Sequence, residues 1–265
     1  MNFKQETIDR FNKAIPYYLE CKSAMMVKRK YNIDNTKFAI YLKSIGIEVI
    51  NYQNLQSIDN TVFSIIDSEE KAYWLGFICA DGYIAKKGNR VEITLKLSDV
   101  NHLNKFKTFI KYDKPIHLTN NSCRISFANK IIHDDLIKLG CTSIKSLTLN
   151  FPSTKSVPKH LQKHFIRGYV DGDGCIRLLK RVHFYVGCLQ IIGTSNFLYG
   201  IANSMNWNIT KLYKDKRHLH NTFFLNYGGA YVLNMLKDLY KDSTIYLDRK
   251  FIKYKEIEIK SNCRL

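Results

Sequence analysis

Between Arg90 and Leu97 apolar and polar residues alternate: Val91, Ile93, Leu95 and Leu97 hold one parity, and Arg90, Glu92, Thr94 and Lys96 the other. A period of two predicts a strand with one face on a core and one on solvent. It follows the turn KKGN at 86–89. The next stretch, SDVNHLNKFKTFI, changes period, with Leu103, Phe106 and Ile110 on one side of a helix opened by Ser98 or Asp99 as N-cap. PIHLT and CRISF flank the turn NNS at 120–122 as a second hairpin, and a helix from about Asn129 to Leu139 ends at Gly140, where a C-terminal glycine belongs.

The same order returns further on. RVHFYVGCLQII predicts strands, GTSNFLYGIANSM a helix, ITKLYKD and NTFFLNY a second hairpin, and GGAYVLNMLKDLYK a closing helix. The alternation breaks near Gly187, where a bulge is expected. Each unit reads αββαββα, and the duplication implies a pseudo-twofold axis, as in a homodimer fused into one chain. Residues 61–157 and 158–265 are the two halves of an α+β fold. Residues 1–60 lie outside the duplication. There a short helix, a helix over Ala24 to Tyr31, a turn at Asn32 to Asp34 and a helix from about Asn35 to Lys43 suit a helix-turn-helix-like segment. Ile33, Phe38, Leu42 and Ile45 are its expected core, with Lys37 and Tyr41 expected to contact DNA.

Each half opens on a helix ending in an aspartate, AYWLGFICADG and FIRGYVDGDG. Gly76 and Ala80 are four apart on one face, as are Gly168 and Gly172, and small residues at that spacing let two helix backbones approach closely. Gly82 and Gly174 read as left-handed stops. Asp81 and Asp173 then stand in the last turn, where the helix dipole is negative and a carboxylate costs stability. Bringing both to one axis adds like-charge repulsion. A divalent cation relieves both penalties, and Mg²⁺ (or another such as Mn²⁺) suits carboxylate, carbonyl and phosphate oxygens. One D-G alone is most simply a turn; two copies, each ending a small-residue helix and each followed by similar strands, favour a site.

The charge says what such a site faces. Against 23 acidic residues stand 41 lysines and arginines, a net +18, which is usually offset by binding a polyanion, nucleic acid above all. With 45% hydrophobic residues the chain is globular. Its apolar runs fall short of a spanning helix and no secretion signal is read, so an intracellular protein is expected. Seven cysteines form no C-x-x-C pair, which argues against a zinc ribbon or a disulfide framework, and His218 and His220 read as a polar turn. The abundance of Lys, Asn, Ile and Tyr fits an A·T-rich genome.

The segments W-L-G-F-I-C-A-D-G (74–82) and I-R-G-Y-V-D-G-D-G (166–174) resemble the two signature motifs of the LAGLIDADG homing endonucleases in their single-chain, two-motif form. LGCTSIKSLTLNFP, VPKHLQKHFIRGYVDGDGCI and YLDRK are also similar to family segments, so the resemblance covers about residues 65 to 260. It implies motif helices packed at the centre and saddle-shaped antiparallel sheets lying in successive DNA major grooves. It also implies Asp81 and Asp173 as metal ligands, one strand each, with the Ala80 and Gly172 carbonyls as further ligands. Lys145 and Lys250 match basic positions beside the active site, and Gln190 is a candidate for ordering water. The sequence departs from the pattern in having Cys79 where the second copy has Asp171, and Arg167 at a normally small position. Unequal cleavage of the two strands is therefore expected.

Arg90, Glu92, Thr94 and Lys96 form the expected outer face of the first sheet, extended by Arg124 and Ser126, with Arg177, Lys180, Lys211 and Tyr213 in the second half. Mixed donors, acceptors and charge suit base edges better than phosphates alone. Site-specific double-strand cleavage of DNA by a monomer, leaving short 3′ overhangs, is the function this implies. Its rivals are an RNA maturase acting on an intron and a DNA-binding regulator. Retention of both aspartates favours the nuclease over the regulator, which has no reason to carry their electrostatic cost.

Overall fold

The computed structural model describes residues 3–21, 24–49, 58–209, 211–214 and 222–261. The chain forms two compact units, Met1–Ser57 and Ile58–Leu265. In the first, α1 (Gln5–Cys21), α2 (Ala24–Tyr31) and α3 (Asn35–Ser44) enclose a small core of Phe11, Tyr18, Val27, Ile33, Phe38 and Leu42. Asp34 starts α3 by accepting the Lys37 N–H at 2.8 Å, as an N-cap aspartate does. Two expectations fail here. Ile45 is 44% exposed, because the helix has already ended. Tyr41 is buried and its hydroxyl donates to Asn12 Oδ1 at 2.7 Å, so its ring belongs to the core and offers no face to DNA.

The second unit repeats one pattern twice. The first half runs α4 (Glu69–Asp81), β1 (Gly82–Ile84), β2 (Arg90–Lys96), α5 (Val100–Phe109), β3 (His117–Leu118), β4 (Ser122–Ala128) and α6 (Lys130–Lys138). After the short α7 (Lys145–Thr148) come α8 (Gln162–Asp173), β5 (Gly174–Lys180), β6 (Tyr185–Gly193), α9 (Ser195–Met205), β7 (Leu212–Lys214), β8 (Phe223–Gly228) and α10 (Tyr231–Tyr240). The sheets are antiparallel with equivalent orders, β1-β2-β4-β3 and β5-β6-β8-β7. A last helix, α11 (Asp248–Ser261), has no separate signal in the apolar pattern.

Local sequence accounts for most of these elements. Gly140 takes φ +95° just past α6, a conformation L side chains avoid. Leu103, Phe106 and Ile110 are fully buried beneath the first sheet with Val91 and Ile93. The strand stops at Lys96, however, and Leu97 opens a 3₁₀ turn with its side chain 36% exposed. Asp99 makes no capping bond; its carboxylate accepts from Arg249 Nε at 3.0 Å. No bulge occurs at Gly187, where the register runs through Leu178↔Gly187 without a break. That glycine makes room for α11 and α10, since a methyl there would lie 3.1 Å from Ile257 and 3.3 Å from Val232. Among the described residues no helix is long and apolar enough to cross a membrane.

Candidate active site at the crossing of two helices

From Ala72 to Ala80 every residue of α4 is buried, so the helix has no polar face and packs on all sides. Its neighbour is α8. A methyl on Gly76 would collide with the Phe165 carbonyl oxygen, and one on Gly168 with that of Tyr73, so each helix passes over the other's backbone at a glycine. Lower in the crossing, a methyl on Gly172 would stand 2.5 Å from the Ala80 Cβ and 3.3 Å from Asp81 Oδ2. The spacing of small residues thus delivers the end of each helix to the same place. Gly82 and Gly174 are not left-handed stops. Both are extended (φ −72°, ψ 148° and φ −79°, ψ 157°), and each helix runs straight into a strand. Glycine is needed because the chain folds back on its own last turn, where a Gly82 Cβ would lie 2.7 Å from the Ile78 oxygen and a Gly174 Cβ would collide with that of Val170.

Asp81 and Asp173 are thereby brought close together, Asp81 part-buried and Asp173 more open to solvent. Burial pushes the Asp81 carboxyl up to about 6, the Asp173 charge adds to the rise, and Lys145, Arg249 and Lys250 oppose it. The protein packed around Asp173 also raises its carboxyl, against the pull of Lys145 and Lys250, although its side chain reaches solvent. Each helix end is held by one lysine. Lys145 Nζ donates to the Cys79 oxygen at 2.8 Å and to the Ala80 oxygen, while Lys250 Nζ donates to the Val170 oxygen at 3.3 Å and to the Gly174 oxygen. Positive charge on the exposed carbonyls of a helix C-terminus is favourable, which explains why these lysines point inward. Lys250 is 6% exposed, and burial lowers its pKa, with Arg249 acting in the same direction. The Ala80 carbonyl, expected as a metal ligand, carries the Lys145 ammonium here and keeps one lone pair.

No protein-family model matches the chain, and no curated protein sequence matches it. Solved structures do. The LAGLIDADG meganuclease I-AabMI, solved bound to uncleaved DNA, superposes over 71% of this chain and 89% of its own, with a TM-score of 0.50 and 11% identity. The chain has the LAGLIDADG fold. I-LtrWI bound to target DNA matches with a TM-score of 0.49 at 11% identity over 72% of this chain and 90% of its own. I-SmaMI, bound to uncleaved DNA with calcium ions present, matches at 0.48 and 14% over 71% and 90%.

Within this LAGLIDADG fold the two halves are braced differently. Arg167 is fully buried, donating from Nε to the Ile245 oxygen, from Nη1 to the Leu239 oxygen and His164 Nδ1 (all 2.9 Å), and from Nη2 to Glu69 Oε1 at 2.6 Å. Glu69 also accepts the Thr244 N–H at 2.8 Å. Asp171, buried and raised in pKa by that burial, accepts from Tyr73 and Tyr240 hydroxyls (2.7 and 2.5 Å) and from the Leu247 N–H at 2.7 Å. Together they grip the 239–247 connection that leads into α11 and so fix Lys250. In the first half Cys79 stands where the second has Asp171, and its thiol touches that of Cys141 at 2.6 Å, four residues before Lys145. Glu69, Tyr73, Tyr240 and Arg249 were not legible as parts of this site. The signal available was a charged Arg167 and a second aspartate inside otherwise apolar motifs.

On the sheets, Arg90, Glu92, Thr94 and Lys96 share the outer face with Arg124 and Ser126, opposite one another at Thr94↔Arg124 and Glu92↔Ser126. Arg90 sits 5.2 Å over the Tyr83 ring. In the second sheet Arg177 and Tyr213 point outward, with Lys211 Nζ 5.2 Å over the Tyr213 ring. Lys180 does not join them: three residues from Arg177, it has the opposite parity and pairs with Tyr185, whose ring lies under Lys260 of α11. Gln190 is also on the outer face, its Nε2 donating to Asn226 Oδ1 at 2.8 Å. Among the described residues no group of three or more His, Cys, Asp or Glu converges. The pair His218 and His220 lies outside them.

Proposed function

We propose that the chain is a site-specific double-strand DNA endonuclease that hydrolyses one phosphodiester per strand with a divalent cation, leaving short 3′ overhangs. The observation that carries this is the delivery of Asp81 and Asp173 together to the crossing of α4 and α8, each helix end holding its own lysine. The donor set fits Mg²⁺. Two carboxylates with raised affinity for positive charge are present, and a hard cation of this kind is held by one or two carboxylates completed by substrate phosphate oxygens. Asp81 and Asp173 would hold it, with the Ala80 and Gly172 carbonyls beside them. When bound, the cation supplies Lewis-acid stabilisation of the phosphoryl oxygens and a water acidic enough to attack at neutral pH.

The chain's own residues do the rest. Lys145 and Lys250 place fixed positive charge in a poorly solvated site, where charge developing at phosphorus is stabilised more strongly than in water. The rigid helix crossing keeps the two carboxylates in place without reorganisation. Outer faces of the sheets, rich in arginine and mixed polar groups in the first half, are the surface for base edges, and the net +18 supplies phosphate attraction. Lys37 and the first unit add affinity for DNA. The chain acts as a monomer, because both halves of the site come from one polypeptide.

The test is cleavage of a randomised DNA pool with Mg²⁺ beside Asp81→Asn and Asp173→Asn. Discrete double-strand cuts that become single-strand nicks or vanish in the variants support the assignment. Tight binding of DNA with no cleavage by the unaltered protein sinks it.

A further inference from the structure

The two sheets offer DNA different chemistry. Resting on the endonuclease reading, we propose that the target is asymmetric in composition, with the second sheet reading an A·T-rich half-site through thymine methyls and an adenine edge, and the first sheet reading guanine and cytosine.

The register assigns each outward side chain to a row. Across the first sheet lie Tyr83–Glu92–Ser126, Thr94–Arg124–His117, Arg90–Ala128 and Lys96–Ser122. Four of these residues are charged. Arginine and lysine pair with guanine O6 and N7, and a carboxylate accepts from the cytosine amino group. The second sheet's rows are Leu179–Val186, Arg177–Cys188–Gly228, Cys175–Gln190–Asn226 and Ile192–Phe224–Tyr213. Among the described residues of these rows Arg177 is the one charged side chain, with Lys211 beside them over the Tyr213 ring.

What replaces charge there has a defined counterpart. Leu179, Val186, Ile192 and Phe224 are partly exposed, and Phe224 stacks on Tyr213 at 5.4 Å with an interplanar angle of 9°. In the β5–β6 turn Val182 and Phe184 are 84% and 54% exposed, alternating with exposed Arg181 and His183, so basic groups there can meet phosphates while the apolar ones meet methyls. In the major groove the thymine C5 methyl is the apolar group that distinguishes one base pair from another. Between the apolar rows, the bond from Gln190 Nε2 to Asn226 Oδ1 leaves Gln190 Oε1 as a free acceptor beside Asn226 Nδ2 as a free donor. An adenine edge offers the complement, an N6 donor next to an N7 acceptor. Guanine offers two acceptors and cannot satisfy the pair.

The experiment takes the site selected from a random DNA pool and replaces thymine by uracil, one position at a time, in both halves. This removes only the methyl. Each contacted methyl is expected to be worth about fourfold in affinity, the transfer value of one buried carbon. The loss should be confined to an A·T-rich half-site and should fall below about twofold in Val186→Ala and Ile192→Ala, which alter partly exposed side chains. In Asn226→Ala discrimination of adenine from guanine should weaken in the same half. Discrete cutting with uracil effects that are absent, or shared equally by the halves, overturns this proposal and leaves the endonuclease reading intact. So does uracil sensitivity that the variants do not change, since the methyls would then be met by other residues. Absence of any sequence-selective DNA binding overturns both, and an apolar second face would then belong to a protein partner.

Discussion

Replacing Asp81 with asparagine should make the protein more stable while removing its proposed activity. The folded-state pKa of about 6 stands against an ordinary value of 3.8, so ionising Asp81 costs the folded state about 3 kcal/mol more than it costs the unfolded chain. The sign follows from proton counting. Between pH 4 and 6 the folded protein holds this proton more tightly than the unfolded one, so stability is highest below pH 4 and falls as pH rises through 6. Asparagine has nothing to ionise. Its advantage should therefore be close to zero at pH 4 and reach about 3 kcal/mol at pH 8, a rise in melting temperature of roughly 6–12 °C for a unit of this size. Thermal and denaturant unfolding in chelator from pH 4 to 8 measures it, and Mg²⁺ should narrow the gap by stabilising only the parent. Equal stability at pH 8, or a gain that does not change with pH, would refute the idea that desolvation and Asp173 strain this carboxylate.

Other consequences are independent of that titration. Gly76→Ala or Gly168→Ala drives a methyl into the partner helix's carbonyl oxygen, so either should cost more than about 3 kcal/mol in denaturant unfolding, at or beyond the upper range for overpacking. Arg167→Met leaves the part-buried Glu69 carboxylate without its partner and should destabilise by up to about 3–5 kcal/mol; adding Glu69→Gln should return part of it, which a double-mutant cycle reads directly. Because the lysine of one half hangs on Arg167 and Asp171 and that of the other on a thiol contact, the two strands of supercoiled DNA should be nicked at unequal rates, and equal rates would count against the asymmetry. Removing residues 1–57 should weaken DNA binding and reduce its salt slope, whereas an unchanged slope removes the first unit from the interface.

Much of the fold was legible because its signals are local. The alternation at Arg90–Lys96, the three-four spacing of Leu103, Phe106 and Ile110, and the glycine after α6 each depend on residues within a few positions of one another, and each element formed. Position alone suggests left-handed stops at Gly82 and Gly174, but what requires glycine is the carbonyl four residues back. Gly187 looked like a bulge because the helix that covers it follows about 60 residues later and gave no periodic signal of its own. Charge alone groups Lys180 with Arg177, although a separation of three puts them on opposite faces of a strand.

By itself the sequence determined that two copies of one unit exist, that each opens on a small-residue helix ending in aspartate, and that a polyanion is the partner its charge suits. Only the tertiary structure decided what those aspartates experience. Their closeness, the lysine given to each helix end, and the bracing of one half by Arg167 and Asp171 arise between residues as far apart in the chain as Glu69 and Arg167. Periodicity fixes which face a side chain occupies, because that is a property of neighbouring residues. Which charge it meets there depends on how distant segments close around it, and that is set by the packing of the whole core.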